Sequence, residues 1–384
     1  MIQLFKPYMG KEEIEAVTKV LKSGWLGLGP KTQEFEEKFS DYIGVKYSVG
    51  VNSCTSALDL ALKLLDVRHG DEVIVPAMTF VSTAHAVAYN LATPIFADVY
   101  YDTLNINVED VAEKITKRTK AIIVVHYGGR PVDMDALERV AQGIPIIEDC
   151  AHACGSKYKA LKCGSIGNIG CFSFHAVKNL CTGDGGMLTL NDEEMYEKAK
   201  RLRWLGIDKS TWARTDKNKS YWWEYAVGEI GLKCHLNDIS AAIGIEQLKK
   251  LDKMNERRAE IASLYTALLQ KYYSERIHAG TLYDLDNRHY ETPVEDTVIS
   301  ESSWHIFHLK IRKDRDKLSV HLKDKEILTG VHYKPVHLYS CYGNKPSLPV
   351  AERAFEKIIS LPMHPNLTDK EVDFIANTIV KFFS

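Results

Sequence analysis

The chain has 384 residues, 45% of them hydrophobic, enough to bury a large core arranged as two domains or as one large domain with an appendage. Its 49 basic residues against 51 acidic ones give a formal charge of -2, which supplies no field to draw in nucleic acid or an anionic membrane and leaves a small molecule as the expected partner. Eight scattered cysteines without a C-x-x-C pair argue against a zinc knuckle, any other metal site or a disulfide framework; with no export signal and no apolar run of membrane-spanning length, the expected location is the reducing cytoplasm.

In chain order, Lys11 to Leu21 and Gln33 to Tyr42 have helical spacing, the second with Phe35 and Phe39 on one face. The glycine-rich run Gly24 to Pro30 between them reads as a loop. Short β-branched runs then alternate with helical stretches: Glu72 to Val75, Pro94 to Ala97, Ala121 to Val125, Ile144 to Ile147, Cys171 to Phe174 and Met187 to Leu190. The alternation predicts an α/β fold, a mostly parallel central sheet covered by helices on both faces. Ligands of such sheets gather beyond the strand ends, where Asp149, His126 and the Ser173 segment fall. Further on, Asn237 to Met254 reads as a long amphipathic helix, Ile306 to Ile311 as a strand, and Asp314 to Leu322 and Asp369 to Phe382 as helices. The domain change is placed near residue 250, giving a large domain, 1–250, and a smaller α+β domain, 251–384, which the N-terminal helix is expected to join.

One lysine stands out. Lys178 follows Ser173-Phe174-His175-Ala176-Val177 and precedes Thr182-Gly183-Asp184-Gly185-Gly186, a run permissive enough to fold closely around a flat ring. A pyridoxal phosphate enzyme needs an amine to hold the aldehyde as a Schiff base, a carboxylate to keep the ring nitrogen protonated, and hydroxyls or amides for the phosphate. Lys178 and Asp149 can fill the first two roles. Asn52 to Leu58 opens an apolar helical run whose N-terminus offers an anion site, with Ser173 adding a hydroxyl. His152 can donate to the cofactor's phenolic oxygen and Phe80 can stack on the ring. Each has an ordinary reading too: a solvated surface lysine, an N-cap at Asp149 for a helix near Ala151, helix capping by Ser53 or Thr55, a satisfied helical histidine, a core phenylalanine.

Together these segments resemble the sugar-nucleotide aminotransferases of the DegT type, a branch of the fold-type I pyridoxal phosphate enzymes, over nearly the whole length. The likeness runs through Gly24-Trp25 to Gly29-Pro30, Asn52 to Leu58, Val75 to Phe80, Val125 to Gly129, Ile147 to Ala153, Ser173 to Asn179, Gly183 to Gly186, Ala241 to Gly244 with Gln247-Leu248, Val331-His332-Tyr333 and Ser360-Leu361-Pro362. It implies an aspartate-aminotransferase-like fold and a homodimer with pyridoxal 5'-phosphate in two active sites at the subunit interface. By position, Lys178 is the Schiff-base lysine and proton shuttle, Asp149 pairs with the ring nitrogen, His152 meets the phenolic oxygen, Phe80 stacks, and Thr55, Ser56 and Ser173 hold the phosphate. It further implies transfer of the amino group of L-glutamate, through the pyridoxamine form, to a keto group of a nucleotide-linked sugar.

Three positions depart from the family. Cys54 stands where glycine is usual before Thr55, and fits only if the turn needs no positive φ. Lys233 replaces an asparagine that reaches the partner subunit's phosphate, and can serve there as a point charge. Leu205 replaces a histidine. The aromatic and basic run from Trp204 to Tyr225 can stack a base and grip a diphosphate, or form a packed hairpin at the dimer interface. The alternatives to the sugar reading are a phosphorylated non-sugar ketone as acceptor, a sugar dehydratase, against which the presence of Lys178 argues because relatives of that type carry histidine there, and a cofactor-binding regulatory protein without turnover.

Overall fold

The computed structural model describes residues 1–208, 225–278, 289–343 and 346–383. Its centre is a seven-stranded sheet made of β1 (Tyr47–Val51), β2 (Glu72–Pro76), β3 (Thr93–Ala97), β4 (Thr119–Val125), β5 (Ile146–Asp149), β6 (Ile169–Ser173) and β7 (Gly186–Leu190), in the spatial order β1-β7-β6-β5-β4-β2-β3. Only β7 runs against the others; it pairs antiparallel with β1 and β6, whereas β6, β5, β4, β2 and β3 pair in parallel. As a result β1, β2, β4, β5 and β6 all end on one edge. Both faces are covered, so β2, β5 and β7 are buried from end to end, which is why they read as apolar runs without alternation.

Two differences from the sequence reading have physical causes. The strand expected over Ile144 to Ile147 lies two residues later and takes in Glu148 and Asp149, because Pro145 cannot donate a ladder bond and the acids find partners inside the fold. The chain after it turns, and no helix starts near Ala151, so Asp149 is the last residue of a strand and not an N-cap. The helix expected over Asn237 to Met254 extends as Asp238–His278, with neither proline nor glycine after Gly244 to stop it. Its apolar stripe changes partners along its length: Ala241, Ile245, Leu251 and Met254 pack with Phe35 and Phe39, while Ile261, Tyr265 and Leu269 join Phe307, Leu309 and Ile375. One helix thus serves two cores.

The second core lies under an antiparallel sheet of Tyr290–Glu291, Phe307–Ile311 and Ile358–Leu361, backed by helices Arg315–Asp324 and Asp369–Phe382. Extended N-terminal residues attach here: Ile2 bridges Ile327, Leu4 accepts from the Met363 amide at 2.9 Å, and Phe5 stacks on His305 with centroids 5.2 Å apart. The helix Lys11–Ser23 packs along the long helix. Asp238, at the start of that long helix, is 1% exposed and accepts from the Gly29, Lys31 and Thr32 amides, capping the helix Pro30–Ile43. Gly29 makes this approach possible, since a Cβ there would fall 2.7 Å from the Asp238 carboxylate. No described helix is long and apolar enough to cross a membrane.

Candidate active site

Strand alternation sends the neighbouring acids Glu148 and Asp149 to opposite faces of the sheet. Glu148 is fully buried; its oxygens accept from the Gly164, Ile166 and Gly167 amides at 2.7–2.9 Å and meet His126 Nε2 at 3.0 Å. Burial works to raise its pKa, yet the bonds from His126 and the amides more than offset this and hold it below the usual carboxylate value. Cys150 brings its sulfur within 4.8 Å of His126 and Glu148 ligand atoms. Because Glu148 is saturated by amides and His126 Nδ1 accepts from the Val132 amide at 3.0 Å, this trio has a complete structural role.

Asp149 is held differently. Oδ1 accepts from the Ala151 amide at 3.1 Å and from the Cys54 thiol at 3.7 Å, and Oδ2 from the Thr83 hydroxyl at 2.9 Å. Burial outweighs these bonds and raises its pKa. Lys178 lies within electrostatic reach, half-buried in the loop after β6, where desolvation lowers its pKa to about 8 against the pull of Asp149. An amine poised to lose its proton and a carboxylate short of cationic partners suit the aldehyde and the protonated ring nitrogen of pyridoxal phosphate.

The loop carrying Lys178 is tied to the end of the sheet: the Thr182 amide donates to the Phe174 carbonyl and the Phe174 amide to the Gly185 carbonyl, both at 2.8 Å. Gly183 takes φ 90°, and a Cβ on Gly186 would lie 2.5 Å from the Ser53 carbonyl carbon, so glycine is what lets the next helix start against this loop. That helix, Cys54–Leu64, has Ser53 as N-cap, accepting from the Ser56 amide at 3.2 Å, while the Ser56 hydroxyl donates to Asn52 at 2.7 Å. Cys54 is the first helical residue and has no positive φ, so the side chain is accommodated where the family usually has glycine. Thr55, Ser56 and the helix N-terminus lie at the edge where β6 ends in Ser173, whose Oγ accepts from the His175 amide at 3.4 Å. Ser53 thus has the ordinary capping role.

Aromatic groups lie near this pair. Phe80 is 56% exposed, which removes the core reading, and its ring lies 5.9 Å from that of Tyr333. His152 Nε2 is 2.9 Å from the Tyr333 hydroxyl, and its Nδ1 accepts weakly from the Gly128 amide at 3.4 Å. Burial, aided by the charges of Lys178 and His332, pushes its pKa well below the usual histidine value, so it is neutral and donates to Tyr333. Sequence reasoning missed Thr83 and gave Tyr333 no role; nothing local marks Thr83, which is a buried residue of an ordinary helix, Ser82–Tyr89. Lys233 does not join the group within this chain; its ammonium rests 3.1 Å from the centre of the Trp204 ring. Of the run from Trp204 to Tyr225, residues 209–224, including Trp212, Tyr221, Trp222 and Trp223, lie outside the described residues.

The family model for the DegT/DnrJ/EryC1/StrS aminotransferases matches residues 7–380. The spore coat polysaccharide biosynthesis protein SpsC of Bacillus subtilis (strain 168) is 41% identical, with 97% of this chain and 95% of SpsC covered. The dTDP-4-dehydro-2,3,6-trideoxy-D-glucose 4-aminotransferase of Saccharopolyspora spinosa is 36% identical, with 99% and 96% covered. The structure of Spr1654 from Streptococcus pneumoniae in its PLP-form superimposes with a TM-score of 0.88 at 32% identity, covering 100% of this chain and 99% of that one. The chain therefore belongs to the DegT/DnrJ/EryC1/StrS aminotransferase family and is an aminotransferase of fold type I with pyridoxal 5'-phosphate as its cofactor.

Proposed function

We propose that this enzyme moves the amino group of L-glutamate to a keto group of a nucleotide-linked sugar, as a cytoplasmic homodimer with active sites shared between subunits. The observation that carries the reading is the Lys178–Asp149 pair beyond the strand ends, an amine lowered to about 8 by burial and within electrostatic reach of a buried carboxylate. The identity with a dTDP-sugar 4-aminotransferase supports the acceptor class. Bound pyridoxal phosphate supplies an electron sink for the pair left when a substrate's α-carbon loses its proton.

The residues divide that work. Lys178 Nζ would hold the aldehyde end and, when the amino donor takes its place, would carry the α-proton. Asp149 would keep the ring nitrogen protonated, His152 would meet the phenolic oxygen, Phe80 would cover the ring, and Thr55, Ser56, Ser173 and the helix N-terminus would hold the phosphate. In the dimer, Lys233 would act as a point charge on the phosphate of the other subunit. The same reading divides the chain into a cofactor-binding large domain, 1–250, and a small domain, 251–384, which lends His332 and Tyr333 to the site.

The test is the absorbance spectrum of cofactor-loaded protein before and after L-glutamate, without any keto sugar. Replacement of the long-wavelength band by the shorter-wavelength pyridoxamine band, absent in Lys178→Ala, is expected. An unchanged band would exclude glutamate as donor, and a subsequent screen of keto-sugar nucleotides against phosphorylated ketones decides the acceptor.

A further inference from the structure

Cys54 is out of place as a phosphate ligand. Its sulfur turns away from the helix N-terminus toward the strand end and meets Asp149 Oδ1 at 3.7 Å, within the range of a sulfur hydrogen bond. The residue is 7% exposed and lies at the start of the helix Cys54–Leu64. Because burial and the neighbouring carboxylate hold its pKa far above the usual thiol value, Cys54 keeps its proton, and an ionised carboxylate can only accept; the thiol is the donor. Asp149 thus has three neutral donors, the Ala151 amide and Cys54 thiol on Oδ1 and the Thr83 hydroxyl on Oδ2.

We propose that Cys54 is a positioning residue that tunes Asp149: its S–H, packed between the phosphate-binding turn and the strand end, holds Oδ1 and sets the proton affinity of the carboxylate that faces the cofactor's ring nitrogen. The inference rests on the cofactor assignments proposed above for Asp149 and Lys178. An S–H bond is weak and long, so it trims the charge on Oδ1 without engaging the second oxygen. Thr83 holds Oδ2 through its hydroxyl, and Thr83 is itself tied to Thr79 at 2.8 Å. The carboxylate is therefore fixed in plane from both sides before any ring arrives. Loss of the thiol leaves the packing nearly intact and makes the site more negative, which raises the proton affinity of the groups around the ring.

Two readouts test this. In the apoprotein, the infrared S–H stretch isolated by subtracting the Cys54→Ala spectrum from wild type is expected below the frequency of a free thiol and to move upward in Asp149→Ala. A band at the free-thiol frequency, or one indifferent to Asp149→Ala, overturns the proposal. In the loaded enzyme, the pH at which the cofactor's visible absorbance titrates is expected to rise by roughly 0.3–0.7 unit in Cys54→Ala, the effect of losing one weak neutral donor, and to return to or below the wild-type value in Cys54→Ser. A titration unchanged by Cys54→Ala, or shifted equally by both variants, reduces Cys54 to a filler of space and overturns the tuning. Wild-type protein that never acquires the visible band sinks the cofactor assignment instead, and the infrared result still reads the bond.

Discussion

Glu148 and Asp149 are adjacent, both buried, and on opposite faces of the same strand. On one face the carboxylate receives three backbone amides and a histidine, and its pKa falls; on the other it receives one amide and two side-chain donors, and its pKa rises. The difference separates scaffold from site. A buried charge whose lone pairs are filled by fixed backbone groups belongs to the fold, whereas one left short by the protein holds capacity for a ligand that brings the missing positive charge.

The sharpest way to break this contrast is to remove the amine that stands opposite Asp149. Lys178→Ala is expected to lower amino-transfer turnover by at least about 10³-fold while the protein stays folded, since Lys178 is the only proposed proton carrier at that position. Retained turnover, measured by 2-oxoglutarate release, would move the chemistry elsewhere. The two acids should then fail in opposite ways. Glu148→Gln places an amide against three backbone N–H groups and is expected to destabilise the fold by about 2–4 kcal/mol in urea unfolding. Asp149→Asn relieves a poorly compensated charge, so its unfolding midpoint should stay level or rise, while turnover falls by about 10²-fold through loss of the proposed ring-nitrogen contact. Equal stability losses in both variants would erase the distinction between the two faces.

The contrast also has a pH signature in the apoprotein. Lys178 releases its proton near pH 8 when folded but near 10.5, its ordinary value, when unfolded. Between these values the unfolded chain binds more protons, so stability rises with pH across the window and is lost as pH falls toward 8; below 8 the contribution is constant. Other groups titrate there as well, so the readout is a difference: the melting temperature of wild type minus that of Lys178→Met should rise between pH 8 and 10.5. Parallel slopes would mean that the amine is not desolvated in the folded chain.

How much of this was legible in the sequence depends on the range of the contact. The parallel sheet showed through its apolar runs, and Lys178 and Asp149 could be nominated because a loop of glycines and a strand-ending acid are local patterns. The fate of Glu148 was hidden, since its amide partners at Gly164, Ile166 and Gly167 come from a turn whose geometry no residue pattern announces. Thr83 reaches Asp149 across 66 positions, Cys54 across 95, and Tyr333 reaches His152 across 181. Such pairs are set by how strands order in the sheet and by where the C-terminal segment docks. The length of Asp238–His278 was underestimated for a related reason: its apolar stripe rotates as it passes from one core to the other, and a single periodic template stops matching midway.

The finest distinction between the two faces lies in a single hydroxyl. Thr83→Val nearly keeps the shape of a fully buried residue and removes the hydroxyl that donates to Asp149 Oδ2 and is bonded to Thr79. The lost bond is neutral to charged, worth about 1–2 kcal/mol to the ionised carboxylate, and the corresponding fall in turnover is about 5- to 30-fold. Its direction is informative. If Oδ2 is the oxygen that serves the ring nitrogen, release of Thr83 lets the carboxylate rotate, and cofactor dissociation should quicken along with the loss of turnover. A Glu148-type scaffold acid would respond to the loss of one of its several donors with a drop in unfolding midpoint alone. Thr83→Ser, which restores the hydroxyl but leaves a methyl-sized gap, should recover cofactor retention yet not the full stability, separating the hydrogen bond from the packing within one position.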